Sequence, residues 1–565
     1  MRWPTTAAAR SAPTRRPPSS PFLNVSRAMG LEENIFGHIV ANRAQTDPDL
    51  AIVTFESDGG RDDVRTYRQL WENGQRVAQC LIERGMQPGE HFALLMANHA
   101  EFVDCMVGSS VAGTVFVPID PRTRGDKLAF MLNSARCKGV IAADYALAQV
   151  AEIRDQVPGL QWAIGLKTDE GAQPISSFSG VTDYAGALPA DVPSFVSRTT
   201  DPDCAMEIIF TSGTTGDPKG IVMTHRRFCE TSAIVPRVVG YQPGDRLYSG
   251  LSLTHANAQG ITLGAALSAH IPCVLSRRFT KRRLWDITRR YGCTSFTLLG
   301  GMTTAVYTEP PRENDADNPV RFVVSAGMPA AIWESFEQRF GLRVLEFYGA
   351  AEGGLTFKPI GEGPVGSIGR AAPNLQYRIV DEDGRDVPKG EPGELLFRPK
   401  DGSAFHVAYF ENPIASAAKG KDGWLWMGDI VHEDEAGWLF FHYRKGGGLR
   451  HNGDFVNPGF VEKAIADSGL VDDVYVWGVP AASGAPGEKD VVATVIPKPA
   501  TAFDPQSIFR ACRNVLEANF VPSYVQVIDA IPKTASEKPQ DRFLLEQFNA
   551  SRSSIFTEQL PSTTG

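Results

Sequence analysis

Residues 207–220 read Glu-Ile-Ile-Phe-Thr-Ser-Gly-Thr-Thr-Gly-Asp-Pro-Lys-Gly, and the rest of the chain is best understood outward from them. The apolar start predicts a short buried strand, which hydroxyl residues, glycines and a lysine follow at once. Glycines let backbone N–H groups face an anion, hydroxyls donate hydrogen bonds, and a lysine adds positive charge. The stretch therefore predicts a phosphate-binding loop. Its expected binding residues are Thr211, Ser212, Gly213, Thr214, Thr215, Gly216 and Lys219.

The spacing of this loop differs from the Walker pattern, because Lys219 lies three residues after Gly216 and no Ser or Thr follows it. A solvated turn between a strand and a helix is the alternative interpretation. However, residues 211–220 match Thr-Ser-Gly-Thr-Thr-Gly-x-Pro-Lys-Gly throughout. This motif resembles the signature of the adenylate-forming superfamily, which includes acyl-CoA synthetases, peptide-synthetase adenylation domains and luciferases.

Composition narrows the functional class. A chain of 565 residues with 42% hydrophobic content can bury a large core and divide into several domains. No apolar run reaches the roughly 18 residues that a membrane span needs, so we expect no transmembrane segment. The formal net charge of −9 and the lack of a basic stripe argue against nucleic acid as a partner. The eight cysteines show no metal-ligand spacing, and we expect reduced thiols in a cytoplasmic protein.

Residues 1–28 are rich in Arg, Pro, Ser, Thr and Ala and contain no Asp or Glu. Such a composition cannot build a core, and it also occurs in organelle transit peptides. Two interpretations stay open. Either Met29 is the real start, or the segment is a targeting sequence that directs import into an organelle.

Alternating strand and helix patterns follow. Residues 66–84 predict a helix, residues 92–96 and 114–119 predict buried strands, and residues 221–240 predict a further helix. Repeated strand, helix, strand spacing predicts an α/β fold with a mainly parallel sheet covered on both faces. Strand patterns bounded by turns predict a small β-rich subdomain over residues 364–446.

The resemblance implies a matching domain plan. We expect a large N-terminal domain, residues 29–444, built of two doubly wound sheets plus the β-rich subdomain. A small, mobile α/β cap, residues 445–550, follows, and residues 551–565 form a flexible tail.

A second motif lies near the middle of the chain, where residues 346–352 resemble Tyr-Gly-x-Thr-Glu. An aromatic ring can stack on a base and a carboxylate near phosphates can hold Mg²⁺, which suits Tyr348 and Glu352. Ala351 replaces the Thr that touches the α-phosphate in the superfamily, so that hydrogen bond is missing or supplied elsewhere. The expected nucleotide contacts in this region are Ala326, Gly327, Tyr348, Gly349, Ala350 and Ala351.

Two further motifs concern the ribose and the pivot. Residues 423–429 resemble Gly-Trp-x-x-Thr-Gly-Asp, and a carboxylate can accept two hydrogen bonds from a ribose diol, so we assign Asp429 to the ribose. Residues 443–453 resemble the hinge motif, which implies that Arg444 binds the ribose. The hinge is expected at Lys445 and Gly446, where consecutive glycines replace the usual aspartates and impose little backbone preference. The resemblance assigns the loop at Asn452 and Gly453 to coenzyme A.

Residues 532–538 resemble the loop that carries the adenylation lysine of the superfamily, with Lys538 in that position and Glu537 where Gly is usual. An ammonium that reaches the carboxylate and the α-phosphate would stabilise charge on both. Thr211 and Glu352 complete the catalytic set. His255, at a predicted strand end, and Gly327 are the candidate substrate-pocket residues.

The implied activity is that of an acid–CoA ligase, with ATP, Mg²⁺ and coenzyme A. A carboxylic acid is activated to acyl-AMP and then transferred to the CoA thiol. Segments near residues 254–259, 339–344 and 521–524 look most like crotonobetaine/carnitine-CoA ligases, but the acid stays open. The alternatives are adenylation for a separate carrier protein, a luciferase-like use of acyl-AMP, and a degenerate nucleotide-binding protein. A homodimer is compatible with the resemblance.

Overall fold

The computed structural model describes residues 34–194, 196–211, 218–445, 449–451, 454–456, 458–482, 488–499, 503–516, 518–534 and 537–559. Helices and strands alternate through the first part, as the hydrophobic pattern predicts. Its elements are α1 (Phe36–Thr46), β1 (Ala51–Glu56), β2 (Asp63–Thr66), α2 (Tyr67–Glu83), β3 (His91–Leu95), α3 (Ala100–Ala112), β4 (Val115–Ile119), α4 (Gly125–Ser134), β5 (Cys137–Ala143), α5 (Leu147–Glu152), β6 (Trp162–Leu166), β7 (Val181–Asp183) and α6 (Tyr184–Ala187).

The second part carries the phosphate-loop segment and also alternates strand and helix. Its elements are β8 (Ala205–Thr211), β9 (Lys219–Thr224), α7 (His225–Val239), β10 (Leu247–Ser249), a π-helix (Asn257–Gly264), α8 (Ala265–Ala269), β11 (Cys273–Ser276), α9 (Leu284–Tyr291), β12 (Ser295–Leu299), α10 (Gly300–Tyr307), β13 (Phe322–Ala326), α11 (Trp333–Phe340), β14 (Arg343–Ala350), β15 (Gly353–Lys358) and β16 (Arg370–Ala371).

The remaining elements form the β-rich subdomain and the cap. The subdomain contains β17 (Leu375–Val380), β18 (Gly393–Pro399), α12 (Pro413–Lys419), β19 (Leu425–Glu433) and β20 (Leu439–Arg444). The cap contains β21 (Arg450–His451), β22 (Asp454–Phe455), α13 (Pro458–Asp467), β23 (Val471–Pro480), β24 (Lys489–Pro497), α14 (Gln506–Val515), β25 (Tyr524–Val527), α15 (Asp541–Ala550) and β26 (Ile555–Phe556).

Two large sheets organise the N-terminal domain. A seven-stranded sheet has the order β7-β6-β5-β3-β4-β8-β9 and is parallel except for the last pair. A nine-stranded sheet has the order β16-β15-β14-β13-β12-β10-β11-β1-β2, with antiparallel strands only at its two edges. The interior strands are buried on both faces, as helix-covered parallel sheets require. The predicted fold class is confirmed.

Close helix packing joins the two sheets. Helix α2 begins at a capping box in which Thr66 and Gln69 satisfy each other's backbone N–H groups. It then crosses α3 at Gly74 and Gly108, where a Cβ atom on Gly74 would lie 2.3 Å from a Val107 methyl group. Only glycine allows the two helices to approach this closely.

The predicted helix over residues 221–240 is wrong at its start. Residues 219–224 form β9, which pairs antiparallel with β8, and α7 begins only at His225. Thr224 caps the helix because its side chain accepts a hydrogen bond from the N–H of Arg227. The residues on either side of the predicted phosphate-binding loop, Thr211 and Lys219, therefore belong to two paired antiparallel strands rather than to a strand and a helix.

The cap packs against the N-terminal domain through polar contacts around Asp472. The Lys281 ammonium lies 3.3 Å from the Asp472 carboxylate, and the Thr308 hydroxyl donates to the Asp472 carbonyl at 3.2 Å. The Tyr307 hydroxyl reaches Asp467 of α13 at 3.3 Å. These contacts connect the cap to α10 and to the segment before α9.

Candidate active site

A cavity of about 1140 Å³ lies where the β8–β9 hairpin, β14 and β19 meet helix α7, the π-helix and the cap. Its position at the carboxyl ends of parallel strands is typical of ligand sites in open α/β sheets. Most of the described residues that the sequence predicts as functional line it. These are Thr211, Lys219, His255, Ala326, Gly349, Ala350, Ala351, Glu352, Asp429, Arg444 and Lys538.

Thr211 and Lys219, which flank the predicted phosphate-binding loop, form one edge of the cavity, called the phosphate edge below. Thr211 and Lys219 are paired residues across β8 and β9, and the Thr211 hydroxyl donates to the Lys219 carbonyl at 3.4 Å. The Lys219 ammonium lies 5.6 Å from the ring centroid of Tyr409. Residues 212–217, which include the predicted Ser212, Gly213, Thr214, Thr215 and Gly216, lie outside the described residues.

Glu352 is buried at the wall of the cavity and is held by a residue that the sequence did not point to. One Glu352 oxygen accepts a hydrogen bond of 2.8 Å from the Tyr409 hydroxyl. Burial and the nearby carboxylate raise the pKa of Tyr409, which keeps its hydroxyl a donor. Tyr409 reaches this point because its backbone pairs with Ile221 of β9. The carboxylate is thereby oriented beside the phosphate edge.

Asp429 and Arg444 face the cavity as paired residues across β19 and β20. The Tyr348 hydroxyl donates to Asp429 at 2.5 Å, and burial, then the Asp429 charge, raise the pKa of Tyr348. Tyr348 therefore orients Asp429 but does not itself line the cavity. Its predicted stacking on a base stays a prediction.

Gly327 occupies a turn that only glycine adopts easily, because its φ is +98° and its Cβ position faces the backbone of Gly300. Its N–H and that of Met328 donate to the buried Glu346 carboxylate. Burial raises the pKa of Glu346 to about 8, against these N–H groups. Ala326 lines the cavity and Gly327 does not, so the predicted ligand contacts of Gly327 stay untested.

His255 stands just before the π-helix and contributes to the apolar side of the cavity. Burial lowers the pKa of His255 to about 4, so the imidazole is neutral at pH 7. A neutral ring suits a wall that contacts an uncharged group. The apolar part of this wall comes chiefly from α7, the π-helix and the segment before β17, and its residues include Phe228, Ile234, Val238, Ile261, Pro373 and Leu375.

Lys538 brings the cap into the same cavity. The Thr534 N–H donates to the Lys538 carbonyl at 2.8 Å, and the Lys538 N–H donates to the Thr534 hydroxyl at 3.1 Å. Burial first, and then the Arg444 charge, lower the pKa of Lys538, while Asp429 opposes this shift. The cap lysine and the phosphate hairpin therefore face one space, although more than 300 residues separate them in the chain.

The predicted hinge and CoA residues lie away from the cavity or outside the described part. The Lys445 N–H donates to the Gly428 carbonyl at 2.8 Å, and its ammonium pairs with Glu394 at 2.8 Å. Gly446, Asn452 and Gly453 lie outside the described residues. The hinge and the CoA loop stay predictions, as does the domain boundary at residue 445.

Sequence reasoning missed several charged or polar residues of the cavity. They include Glu207, Arg227, Tyr409 and Lys419. The Glu207 carboxylate is fully buried, and burial raises its pKa to about 8 although the Gln259 side chain opposes this shift. Burial lowers the pKa of Lys419, whose ammonium donates to the Met427 carbonyl at 2.9 Å. No local motif marks these residues, because separate elements bring them together.

Comparison with protein families agrees with this geometry. Residues 40–402 match the model of the AMP-binding enzyme, and residues 461–538 match its C-terminal domain. The chain belongs to the AMP-binding enzyme family. The predicted resemblance to adenylate-forming enzymes is thus confirmed, and the two matched regions fall on either side of the predicted boundary.

Several characterised members of the family are similar over most of their length. The medium/long-chain-fatty-acid–CoA ligase FadD6 of Mycobacterium tuberculosis is 29% identical over 84% of this chain and 80% of its own. A crotonobetaine/carnitine–CoA ligase of Escherichia coli is 28% identical over 86% of this chain and 93% of its own. The anthranilate CoA ligase AuaEII, solved with anthranoyl-AMP, superimposes with a TM-score of 0.78 at 22% identity, covering 92% of this chain and 98% of its own. That likeness supports the fold.

The described residues also bear on metal and membrane binding. They contain no cluster of three or more His, Cys, Asp or Glu side chains arranged to hold a metal ion. Within the same ranges, no helix has the length and apolar character of a membrane span. Mg²⁺ rarely needs a protein cage, because it usually takes one or two carboxylates together with substrate phosphates and waters. Glu352, a single oriented carboxylate at the phosphate edge, fits that pattern.

Proposed function

We propose that this protein is an ATP-dependent, AMP-forming acid–CoA ligase. One observation carries the proposal. The phosphate hairpin, the Asp429–Arg444 pair and Lys538 of the cap all face a single cavity, whose apolar wall extends along α7. A nucleotide and a carboxylic acid can therefore meet beside one ammonium group.

In the first half-reaction, a carboxylate oxygen of the acid forms a bond to the α-phosphorus of ATP. The bond from that phosphorus to the bridging oxygen breaks, and its electron pair leaves with pyrophosphate. Lys219 and the hairpin hold the phosphates, while Asp429 and Arg444 hold the ribose. Lys538 neutralises charge on the carboxylate and the α-phosphate as the mixed anhydride forms, and burial strengthens this interaction.

A magnesium ion, when bound, would neutralise phosphate charge. Glu352 is the residue to hold it, because Tyr409 orients one of its carboxylate oxygens and the carboxylate faces the phosphate edge. Thr211 lies on the same edge. Among the described residues, Glu352 does not belong to a group of three or more His, Cys, Asp or Glu side chains that could hold a metal ion.

In the second half-reaction, the thiol of coenzyme A loses its proton, and its sulfur forms a bond to the acyl carbon. AMP leaves with the electron pair of the anhydride bond. Lys538 has no role in this step. The cap is proposed to pivot at Lys445 and Gly446, which withdraws Lys538 and presents Asn452 and Gly453 to the thiol. The contacts of Asp472 with Lys281 and Thr308 would then break.

The test is a panel of acids supplied with ATP and coenzyme A, with AMP, pyrophosphate and thioester measured separately. Octanoate, palmitate, benzoate, anthranilate and crotonobetaine differ in length, ring content and charge. The proposal predicts equal amounts of AMP and thioester from at least one acid. Pyrophosphate without thioester would point to a carrier protein as acceptor. ATP binding without any product would identify a degenerate nucleotide-binding protein.

A further inference from the structure

Arg227, near the start of α7, lies at the reacting end of the cavity although no sequence motif marks it. Its guanidinium donates a hydrogen bond to the Ala351 carbonyl, and both residues line the cavity next to Glu352. Helix capping fixes its position, since the Arg227 N–H bonds to Thr224 at 3.2 Å. The side chain therefore projects from a rigid helix end toward the turn of the second motif.

The Arg227 guanidinium has no ion-pair partner among the described carboxylates, although Glu352 attracts it electrostatically. Burial lowers the pKa of Arg227 despite this attraction. A guanidinium has several N–H donors, and the hydrogen bond to Ala351 uses one of them. A buried cation is costly unless it is paired, so this group favours an anionic ligand.

The neighbouring Arg226 shows the contrast. It lies on the outer side of α7 and bonds to Asp203 at 2.7 and 3.0 Å. Arg226 thus has a protein counter-ion at the surface, whereas Arg227 faces the cavity without one. Two adjacent arginines therefore have opposite environments.

The motif around residue 351 gives Arg227 a chemical purpose. Family motifs of the form Tyr-Gly-x-Thr-Glu place a hydroxyl donor at this position, but a methyl group stands here because the residue is Ala351. A methyl group cannot donate a hydrogen bond. The guanidinium of Arg227, on α7, donates a hydrogen bond to the backbone carbonyl of Ala351, which follows β14.

We propose that Arg227 binds an anionic oxygen at the reacting centre, either of the α-phosphate or of the acid's carboxylate, in place of the hydroxyl that Ala351 lacks. This role rests on the proposed ligase function. As the carboxylate–phosphorus bond forms and pyrophosphate departs, Arg227 would offer N–H donors to the oxygens that carry the charge. Arg227 is then a catalytic residue that this chain supplies from α7.

The first test compares AMP with adenosine in binding by calorimetry, which needs no knowledge of the acid. If the Arg227 guanidinium binds the α-phosphate, Arg227→Ala should weaken the binding of AMP. The binding of adenosine, which has no phosphate, should stay unchanged. Arg226→Ala removes the same charge one residue away and should change neither. Thermal unfolding of each variant checks that the fold is intact, and Arg227→Lys keeps the charge without the fork of donors.

The second test measures ATP–pyrophosphate exchange with an acid that the parent activates. We expect Arg227→Ala to lower the exchange rate by roughly 100-fold, the usual cost of losing one such donor. Adding Ala351→Thr to Arg227→Ala should recover roughly tenfold, because a hydroxyl returns to the same position. A merely structural arginine would show no such rescue.

The outcomes distinguish the α-phosphate from the acid's carboxylate as the group that Arg227 binds. They also distinguish a failure of the Arg227 proposal from a failure of the ligase proposal. Loss of AMP affinity assigns Arg227 to the α-phosphate, and a raised KM for the acid with unchanged AMP affinity assigns it to the carboxylate. A folded Arg227→Ala variant that matches the parent in both tests overturns the role of Arg227. Absence of AMP binding and exchange in the parent itself would instead overturn the ligase proposal.

Discussion

The nucleotide end and the α7 side of the same cavity are built in different ways. At the nucleotide end, Thr211, Glu352, Asp429 and Arg444 stand at or near strand ends, where sheet pairing fixes each side chain. On the α7 side, the wall consists of helix faces, with Ile234 and Val238 opposite the segment before β17. Backbone pairing therefore holds the side chains at the strand ends, whereas the shape of the apolar wall depends on the side chains that the helices present.

The same difference decides what the sequence could predict. Asp429 and Lys538 were found because each stands within a contiguous motif, and the structure brings both to one cavity. Arg227 and Tyr409 were missed because tertiary packing alone brings them to residues 351 and 352. Short sequence motifs can be recognised locally, but the residues that tertiary packing brings into contact with them cannot.

The fold was predictable where patterns are local. The strands over residues 92–96 and 114–119 appear as β3 and β4 within a residue of their predicted bounds. The start of α7 was not, because residues 219–224 pair with β8 rather than continuing the helix. Pairing with the neighbouring strand, rather than the apolar pattern alone, decides the state of so short a segment.

Among the substitutions that compare the two ends of the cavity, the largest effect is expected at the nucleotide end. Asp429→Ala removes the carboxylate proposed to bind the ribose and leaves the Tyr348 hydroxyl without its partner. Two charge-assisted hydrogen bonds are worth about 3 kcal/mol, so AMP should bind roughly 100-fold more weakly. Calorimetry with AMP measures this, while the preference among acids should stay unchanged. A changed preference among acids would contradict the assignment of Asp429 to the nucleotide end alone.

On the α7 side, Ile234→Trp should narrow the apolar wall. We expect the KM of the longest accepted acid to rise roughly tenfold, since the added ring removes buried contact area, with AMP affinity unchanged. Steady-state kinetics across acids of increasing length measure the shift. The control is Ile414→Trp, because Ile414 is 83% exposed on α12 and does not line the cavity. Equal effects of the two variants would remove Ile234 from the pocket.

The contact between the cap and the N-terminal domain should matter less. Lys281→Ala removes an ammonium that Asp472 and Glu309 hold at 3.3 and 3.2 Å. The adenylation rate should fall about threefold, as expected from a loss of about 0.7 kcal/mol for a polar contact. Thioester formation from supplied acyl-AMP should not fall. Arg278→Ala is the matched control, since its side chain is 69% exposed and pairs with Glu170 rather than with the cap.

The smallest expected effect is a change in the pH dependence of stability, caused by Glu207, which lines the same cavity. Burial raises the folded pKa of Glu207 to about 8, above the ordinary value of about 4.3 in an unfolded chain. The unfolded state therefore binds fewer protons between these values, and stability falls as pH rises through this window. Glu207→Gln should lose less Tm than the parent between pH 5 and pH 8, by on the order of 2 °C. Calorimetric scans measure these Tm values. The same change in the pH dependence of Tm for Glu313→Gln, a substitution at an exposed glutamate, would contradict the prediction.

The central claim is that Lys538 of the cap enters the nucleotide cavity for the first half-reaction only. Lys538→Ala should lower ATP–pyrophosphate exchange by roughly 1,000-fold, the upper range for a lost charge-stabilising donor, while transfer from supplied acyl-AMP to coenzyme A persists. Arg542→Ala, which removes a cap cation that is 77% exposed, should change neither rate. Unchanged exchange in a folded Lys538→Ala protein, or equal loss of both half-reactions, would contradict the account.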